Sequence, residues 1–356
     1  MKKIAYCGSL FLIATSALAQ ENSCGKLLDN TERLACYDLI YGRRELVVVP
    51  PAEPLKTAAL AEVQTEQQVV TIVKDAQYEQ IRRERLGSTM SERWELDASK
   101  SAGIFLPRPY KPMYVLPVTY SSRINSAPTS PGDGHGTGSG QDLRNMEAKF
   151  QFSFKSKLWE NVLGMDANLW AGYTQSSRWQ VYTPALSRPF RETNYEPEAM
   201  LVFHTPYEFL GWQGRISSIS VNHQSNGRAL PLSRSWNRLI GEVSLERGDW
   251  SLSLRPWWRI QEKTAADDNA NIQDYLGRGE ILLSNTMAQH VFTLQARHSL
   301  RSGANSRGSV QLDWAFPLVN GVHGYVQLFS GYGESLIDYN FRQNKVGLGV
   351  SLVEWR

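Results

Sequence analysis

The run Val346-Gly347-Leu348-Gly349-Val350-Ser351-Leu352 alternates apolar residues with small or polar ones, and this period of two decides the fold. Phe292-Thr293-Leu294-Gln295-Ala296-Arg297 and Trp250-Ser251-Leu252-Ser253-Leu254-Arg255 repeat it. Successive side chains of a strand point to opposite faces, so the alternation predicts strands with one apolar face and one polar face. Twelve segments carry the signal: 112–121, 146–159, 165–183, 197–207, 212–225, 236–246, 249–262, 272–286, 289–300, 307–316, 321–332 and 341–354. Many exceed the five or six residues usual in soluble sheets and reach the roughly 9–11 that a tilted strand needs to cross the hydrocarbon of a membrane.

The connections alternate after the first strand. Residues 122–145 and 184–196 are long, whereas Gly211, Arg247-Gly248 and Val319-Asn320 mark tight turns. An even strand number with short turns at one end and long loops at the other is the pattern of an outer-membrane barrel. Trp and Tyr residues near the strand ends suit an interfacial girdle. The expectation for residues 110–356 is an all-β, twelve-stranded antiparallel transmembrane β-barrel. A soluble β-sandwich alternates too, so a secreted soluble protein stands as a competing expectation.

Composition bounds the rest. A 356-residue chain that is 42% hydrophobic, with 11 Trp, 15 Tyr and 12 Phe, has too much apolar surface to stay disordered. Beyond residue 19 no apolar stretch approaches the roughly 20 residues of a spanning helix. With 38 Lys+Arg against 35 Asp+Glu there is no basic field to recruit nucleic acid. Lys2 and Lys3, the apolar run from Ile4 to Ala14, and Ala17-Leu18-Ala19 read as a signal peptide over 1–19. Beyond the inner membrane disulfides persist, and the mature chain keeps only Cys24 and Cys36, which are expected to pair; two buried free thiols are the alternative. Residues 20–109 read as a periplasmic extension. It would hold one helix in Thr57–Leu86, which lacks Gly and Pro, and would end at Leu106-Pro107-Arg108-Pro109.

The densest polar constellation is Asn222-His223-Gln224-Ser225-Asn226-Gly227-Arg228 followed by Ser233-Arg234-Ser235-Trp236-Asn237-Arg238. His223 and Ser225 share parity with Ile219 and Val221, and Asn237 shares parity with Leu239, Val243 and Leu245. All three would therefore face lipid, where unpaired polar groups cost several kcal/mol each, on the order of a lost hydrogen bond or more. Antiparallel strands joined by residues 226–235 can bring the three together. A hydroxyl, an imidazole and an amide are the types required for an activated nucleophile, its base and the group that orients the base, although a His-x-Ser pair also occurs by chance in many chains and is unremarkable at a membrane interface. The glycine-rich run Gly132-Asp133-Gly134-His135-Gly136-Thr137-Gly138 is read as a flexible outer loop, because no serine motif follows it. His204, His290, His298 and His323 show no metal-ligand spacing.

These two stretches, together with Arg188-Pro189-Phe190-Arg191-Glu192-Thr193-Asn194-Tyr195-Glu196-Pro197 and Tyr332-Gly333-Glu334-Ser335-Leu336-Ile337-Asp338-Tyr339-Asn340-Phe341, resemble the signature of the bacterial outer membrane phospholipase A family. The resemblance runs from about residue 112 to the end. It implies a twelve-stranded barrel that hydrolyses the sn-1 and sn-2 esters of glycerophospholipids, and lysophospholipids, as a calcium-dependent homodimer. It implies Ser225 as nucleophile, His223 as general base, Asn237 as orienter and the Gly227 amide in the oxyanion hole. The resemblance places calcium on the Arg228 backbone oxygen, the Ser233 side chain and the Ser187 backbone oxygen of a second subunit. It places Gln175 in the dimer interface. A passive pore or structural barrel is the competing class, in which the lipid-facing polar trio would have no purpose.

Overall fold

The computed structural model describes residues 90–96, 101–136, 140–263, 267–319 and 321–353. The expected signal peptide, the Cys24–Cys36 pair and the Thr57–Leu86 helix lie outside the described residues. Twelve long strands are present among the described residues. They are β1 Met113–Ser121, β2 Met146–Trp159, β3 Ala167–Trp179, β4 Phe190–His204, β5 Trp212–Ser225, β6 Ser235–Arg247, β7 Trp250–Ile260, β8 Gly279–Met287, β9 His290–His298, β10 Gly308–Val319, β11 Val322–Gly331 and β12 Gln343–Val353. Every strand pairs antiparallel with its chain neighbours, and β12 pairs with β1, so the sheet closes on itself. Closure removes the edges that would leave unpaired backbone groups in lipid. Two short strands lie outside this ring: Pro107–Pro109 pairs with β2 and Glu208–Phe209 with β5.

Two expected boundaries are corrected. The fourth strand begins at Phe190, not 197, because Phe190–Glu196 complete the ladder against β3 and turn Arg191, Glu192 and Asn194 into the lumen. Charged residues there read as loop because burial in a polar interior looks like exposure in a sequence. The eighth strand begins at Gly279, not 272, since Gln273–Leu276 form a helical turn that ends at Gly277 with φ +96°.

Alternation sorts the side chains as expected. Ile219, Val221, Trp258, Ile281, Leu312 and Leu348 are exposed on the outer wall, an apolar belt far larger than a soluble protein presents. The lumen is filled in three layers. At the short-turn end the Met90–Arg93 turn enters the lumen, with the Met90 amide donating to Glu246 Oε1 at 2.6 Å and Arg93 Nη2 to the Tyr110 carbonyl at 2.7 Å. Trp94 packs edge-on against Tyr110 and Trp170, and the Lys155 ammonium lies 3.0 Å from its ring centroid.

The middle layer is ionic. Glu334 meets Lys149 at 2.8 Å, Lys345 at 2.9 Å and Arg178 at 3.1 Å, while Glu147 meets Arg191 and Lys345, each at 2.8 Å. Arg255 joins Glu198, Glu242 and Glu280. A residual cavity of about 110 Å³ remains, lined by Lys149, Thr174, Arg178, Arg238 and Glu334 among others. At the long-loop end Leu336, Ile337 and Tyr339 from the loop 332–342 are buried, and Leu336 and Tyr339 pack with Trp236, Ile240, Trp257, Ile272 and Leu276.

Candidate active site

Strands β5 and β6 carry the site, and their register sets it. His223 stands directly opposite Asn237 across the ladder, and Ser225 opposite Ser235. Inward positions 222, 236 and 238 are buried, so 223, 225 and 237 face out as the alternation requires. His223 is exposed; Ser225 and Asn237 are half-buried. His223 Nδ1 and Asn237 Oδ1 are 2.8 Å apart. The amide oxygen can only accept, so Nδ1 carries a proton in this contact, and the neutral tautomer it selects has its lone pair on Nε2. Ser225 lies two residues along the same face of β5, about 7 Å away along the backbone at strand rise. The expected trio therefore occupies one outward patch, with the His223–Asn237 hydrogen bond as its recorded internal contact.

The loop 226–234 follows directly. Its shape is held by Asn226, which sequence reasoning missed. The buried Asn226 side chain donates to the Leu232 carbonyl at 2.8 Å and accepts from the Arg234 amide at 2.9 Å, while its own amide donates to the Arg234 carbonyl at 3.0 Å. Gly227 next to it has φ +63°, where a side chain is strained, and an added Cβ would come 3.0 Å from the Tyr195 ring. Arg228 donates from Nη1 to the Arg191 carbonyl at 2.9 Å, which anchors its backbone to β4.

Glu192 ties the signature stretches together. Its Oε1 accepts from Asn194 Nδ2 at 2.7 Å and from the Ile337 amide at 3.1 Å, and its Oε2 from Asn226 Nδ2 at 3.4 Å. One carboxylate thus joins the strand β4, the loop beside Ser225 and the loop that caps the lumen. No sequence spacing could reveal this, because its partners lie 34 and 145 residues away.

Ser233 Oγ donates to Asp268 Oδ2 at 2.6 Å, and Ser235 Oγ reaches the same oxygen at 3.3 Å. His135 Nε2 lies 3.0 Å from Asp268 Oδ1. The described part of the glycine-rich stretch, residues 132–136, lies in the connection between β1 and β2, and its histidine is buried and engaged with this carboxylate, unlike the flexible loop expected. Asp268 lies in none of the quoted motifs, and Asn226, though inside one, had no role read from it. Ser187 sits in the neighbouring loop between β3 and β4, exposed and in a left-handed turn. Among the described residues no hydrogen bond joins it to the loop 226–234. Gln175 lies outward on β3, accepts from the Tyr173 hydroxyl at 3.0 Å, and stands between Phe152 and Tyr195 in the ladder.

Residues 90–352 match the family model described as phospholipase A1. The chain belongs to this family. Phospholipase A1 of Klebsiella pneumoniae is 38% identical over 248 residues, 70% of this chain and 82% of that protein. Phospholipase A1 of Escherichia coli K12 is 41% identical over 212 residues, covering 60% of this chain and 71% of that protein. Among solved structures, the Escherichia coli outer membrane phospholipase A superposes with a TM-score of 0.64 at 36% identity, over 73% of this chain and 95% of that one. The Salmonella typhi outer membrane phospholipase, crystallised as a dimer with bound calcium, gives 0.65 at 35% identity, over 76% and 98%. As a member of the family the chain is an outer-membrane enzyme built on a closed twelve-stranded barrel.

Proposed function

We propose that the chain hydrolyses the sn-1 and sn-2 acyl esters of glycerophospholipids, and lysophospholipids, in the outer membrane. The observation that carries this reading is the His223–Asn237 hydrogen bond on the lipid-facing wall. It selects the ring tautomer whose Nε2 can act as a base, two residues from a hydroxyl. His223 Nε2 takes the Ser225 proton as Oγ attacks the ester carbonyl, then delivers it to the leaving glycerol oxygen; water repeats the cycle on the acyl-enzyme. The Gly227 amide stabilises the oxyanion. An amide orienter supports the imidazolium less than a carboxylate would, which an ester tolerates because its carbonyl is more reactive than a peptide's.

The Arg228 carbonyl, the Ser233 hydroxyl and the Ser187 carbonyl of a second subunit would hold calcium. Oxygen donors suit this cation, and the Asp268 carboxylate against Ser233 adds negative charge beside them. When bound, calcium supplies Lewis-acid stabilisation of the developing oxyanion. The second subunit would pair through Gln175, whose outward amide gains from a partner in hydrocarbon, and its Ser187 would complete the cation site. Assembly of the homodimer then switches the enzyme on. The ionic layer and the two caps fill the lumen, which disfavours the passive pore.

Two measurements test the reading. A sulfonyl fluoride should modify Ser225, as mapped by mass spectrometry of the intact barrel, and modification elsewhere with Ser225 untouched refutes the nucleophile. Excess EDTA should stop fatty-acid release from phospholipid in detergent micelles, and added calcium should restore it; undiminished turnover in EDTA refutes the cation's part.

A further inference from the structure

The Asn237 side chain has a second partner. Its Nδ2 donates to Glu262 Oε1 at 2.8 Å, from the residue two beyond the end of β7. Ile260 stands opposite Asn237 in the β6–β7 ladder, so Glu262 is the diagonal neighbour on the same outward face, within reach of a long side chain. The row therefore runs Ser225, His223, Asn237, Glu262 over β5, β6 and the segment just beyond β7. Neither the sequence reading nor the resemblance gives Glu262 a part.

We infer that Glu262 is a positioning residue that fixes the Asn237 amide and lends its charge to the His223 imidazolium. The inference rests on the triad reading above. A carboxylate oxygen can only accept, so the amide nitrogen must face Glu262 and the amide oxygen must face His223 Nδ1. Without that constraint the amide can turn over and present N–H to Nδ1. The ring then takes the other tautomer, with a proton on Nε2, and cannot act as base toward Ser225. An amide alone fixes neither its own orientation nor much of the imidazolium charge, and the carboxylate behind it answers both needs. No proton passes to Glu262 during turnover; His223 carries it throughout the step.

Burial, together with Asp267 and Asp268, holds the Glu262 carboxyl above the usual carboxylate range, and Arg259 and the hydrogen bond from Asn237 offset this only in part. Arg259 is itself committed to Asp267 at 2.5 Å. Lys263 follows Glu262 in the chain, and His223 and Asn237 are the polar groups facing it from β5 and β6.

The test compares Glu262→Ala and Glu262→Gln with the unaltered enzyme over pH in mixed micelles at saturating calcium. Glu262→Ala should lower kcat about tenfold with KM unchanged, as removal of an interaction made with the reacting imidazole does. Its acid limb should move about half a pH unit lower, because loss of a nearby negative charge makes the imidazolium less stable. Glu262→Gln keeps an acceptor oxygen and the side-chain volume but loses the charge, so its kcat should fall less than that of Glu262→Ala while its acid limb moves as in Glu262→Ala. Unchanged kcat and pH profile in Glu262→Ala, or a fall in kcat with the acid limb unmoved, overturns the inference. Ser225→Ala in the same assay separates the two readings. If it is inactive while Glu262→Ala is normal, only the inference about Glu262 fails; if it is active, the triad itself fails.

Discussion

Ser225→Ala should abolish fatty-acid release from phospholipid micelles, with a loss on the order of 10⁴-fold or more, the scale on which a nucleophile is lost. Ser225 is half-buried on the outer wall and makes no contribution to the ionic layers within, so the barrel should fold as before. The check is paired: activity by fatty-acid titration, and folding by the heat-modifiable mobility of the barrel in gel electrophoresis. Full activity in a folded variant contradicts the assignment of the nucleophile. A variant that loses both would point to folding alone, and Ser225→Cys then distinguishes them, since its thiol preserves shape and hydrogen bonding.

Glu334→Gln should destabilise the barrel by about 3 kcal/mol, the low end for removing one partner of a buried ionic cluster. Glu334 serves three cations, but two keep other partners: Lys345 still meets Glu147 at 2.8 Å and Lys149 still donates to Gln327 at 2.7 Å. Arg178 loses most. It retains the Ser176 hydroxyl at 2.8 Å, and it also donates to the Glu334 carbonyl. Chemical unfolding in lipid vesicles should show the lowered midpoint. The double variant Glu334→Gln with Arg178→Met should recover part of it, because a buried charge without a counterion is removed. An unchanged midpoint in Glu334→Gln would mean that water reaches the layer and solvates Arg178.

The barrel was legible because one physical fact, the twofold alternation of a strand between lipid and lumen, is written into the order of residues. Ile219, Val221 and His223 lie on one face in the structure as their parity demands, and Asn222 lies buried on the other. The same rule failed at Phe190–Glu196. There the inward face is charged because it belongs to an ionic lumen, so strand and loop have the same composition. The proposed triad was legible as residue types on one face. The contacts of Glu262, Asn226, Glu192 and Asp268 were not, since each acts through partners that only the ladder register or loop closure brings near. Asn237 and Glu262, 25 residues apart in the chain, meet because β6 and β7 are joined by the tight turn after Arg247.

The outward face of the site has a consequence for kinetics. If the proposed triad is the reacting site, an enzyme whose reacting groups look into the bilayer never samples substrate from bulk water. It meets lipid by lateral diffusion within a leaflet, and its products enter the same sheet. The concentration that governs its rate is a mole fraction per unit area, so diluting the membrane's phospholipid with inert amphiphile slows the enzyme even when the number of lipid molecules per millilitre is held constant.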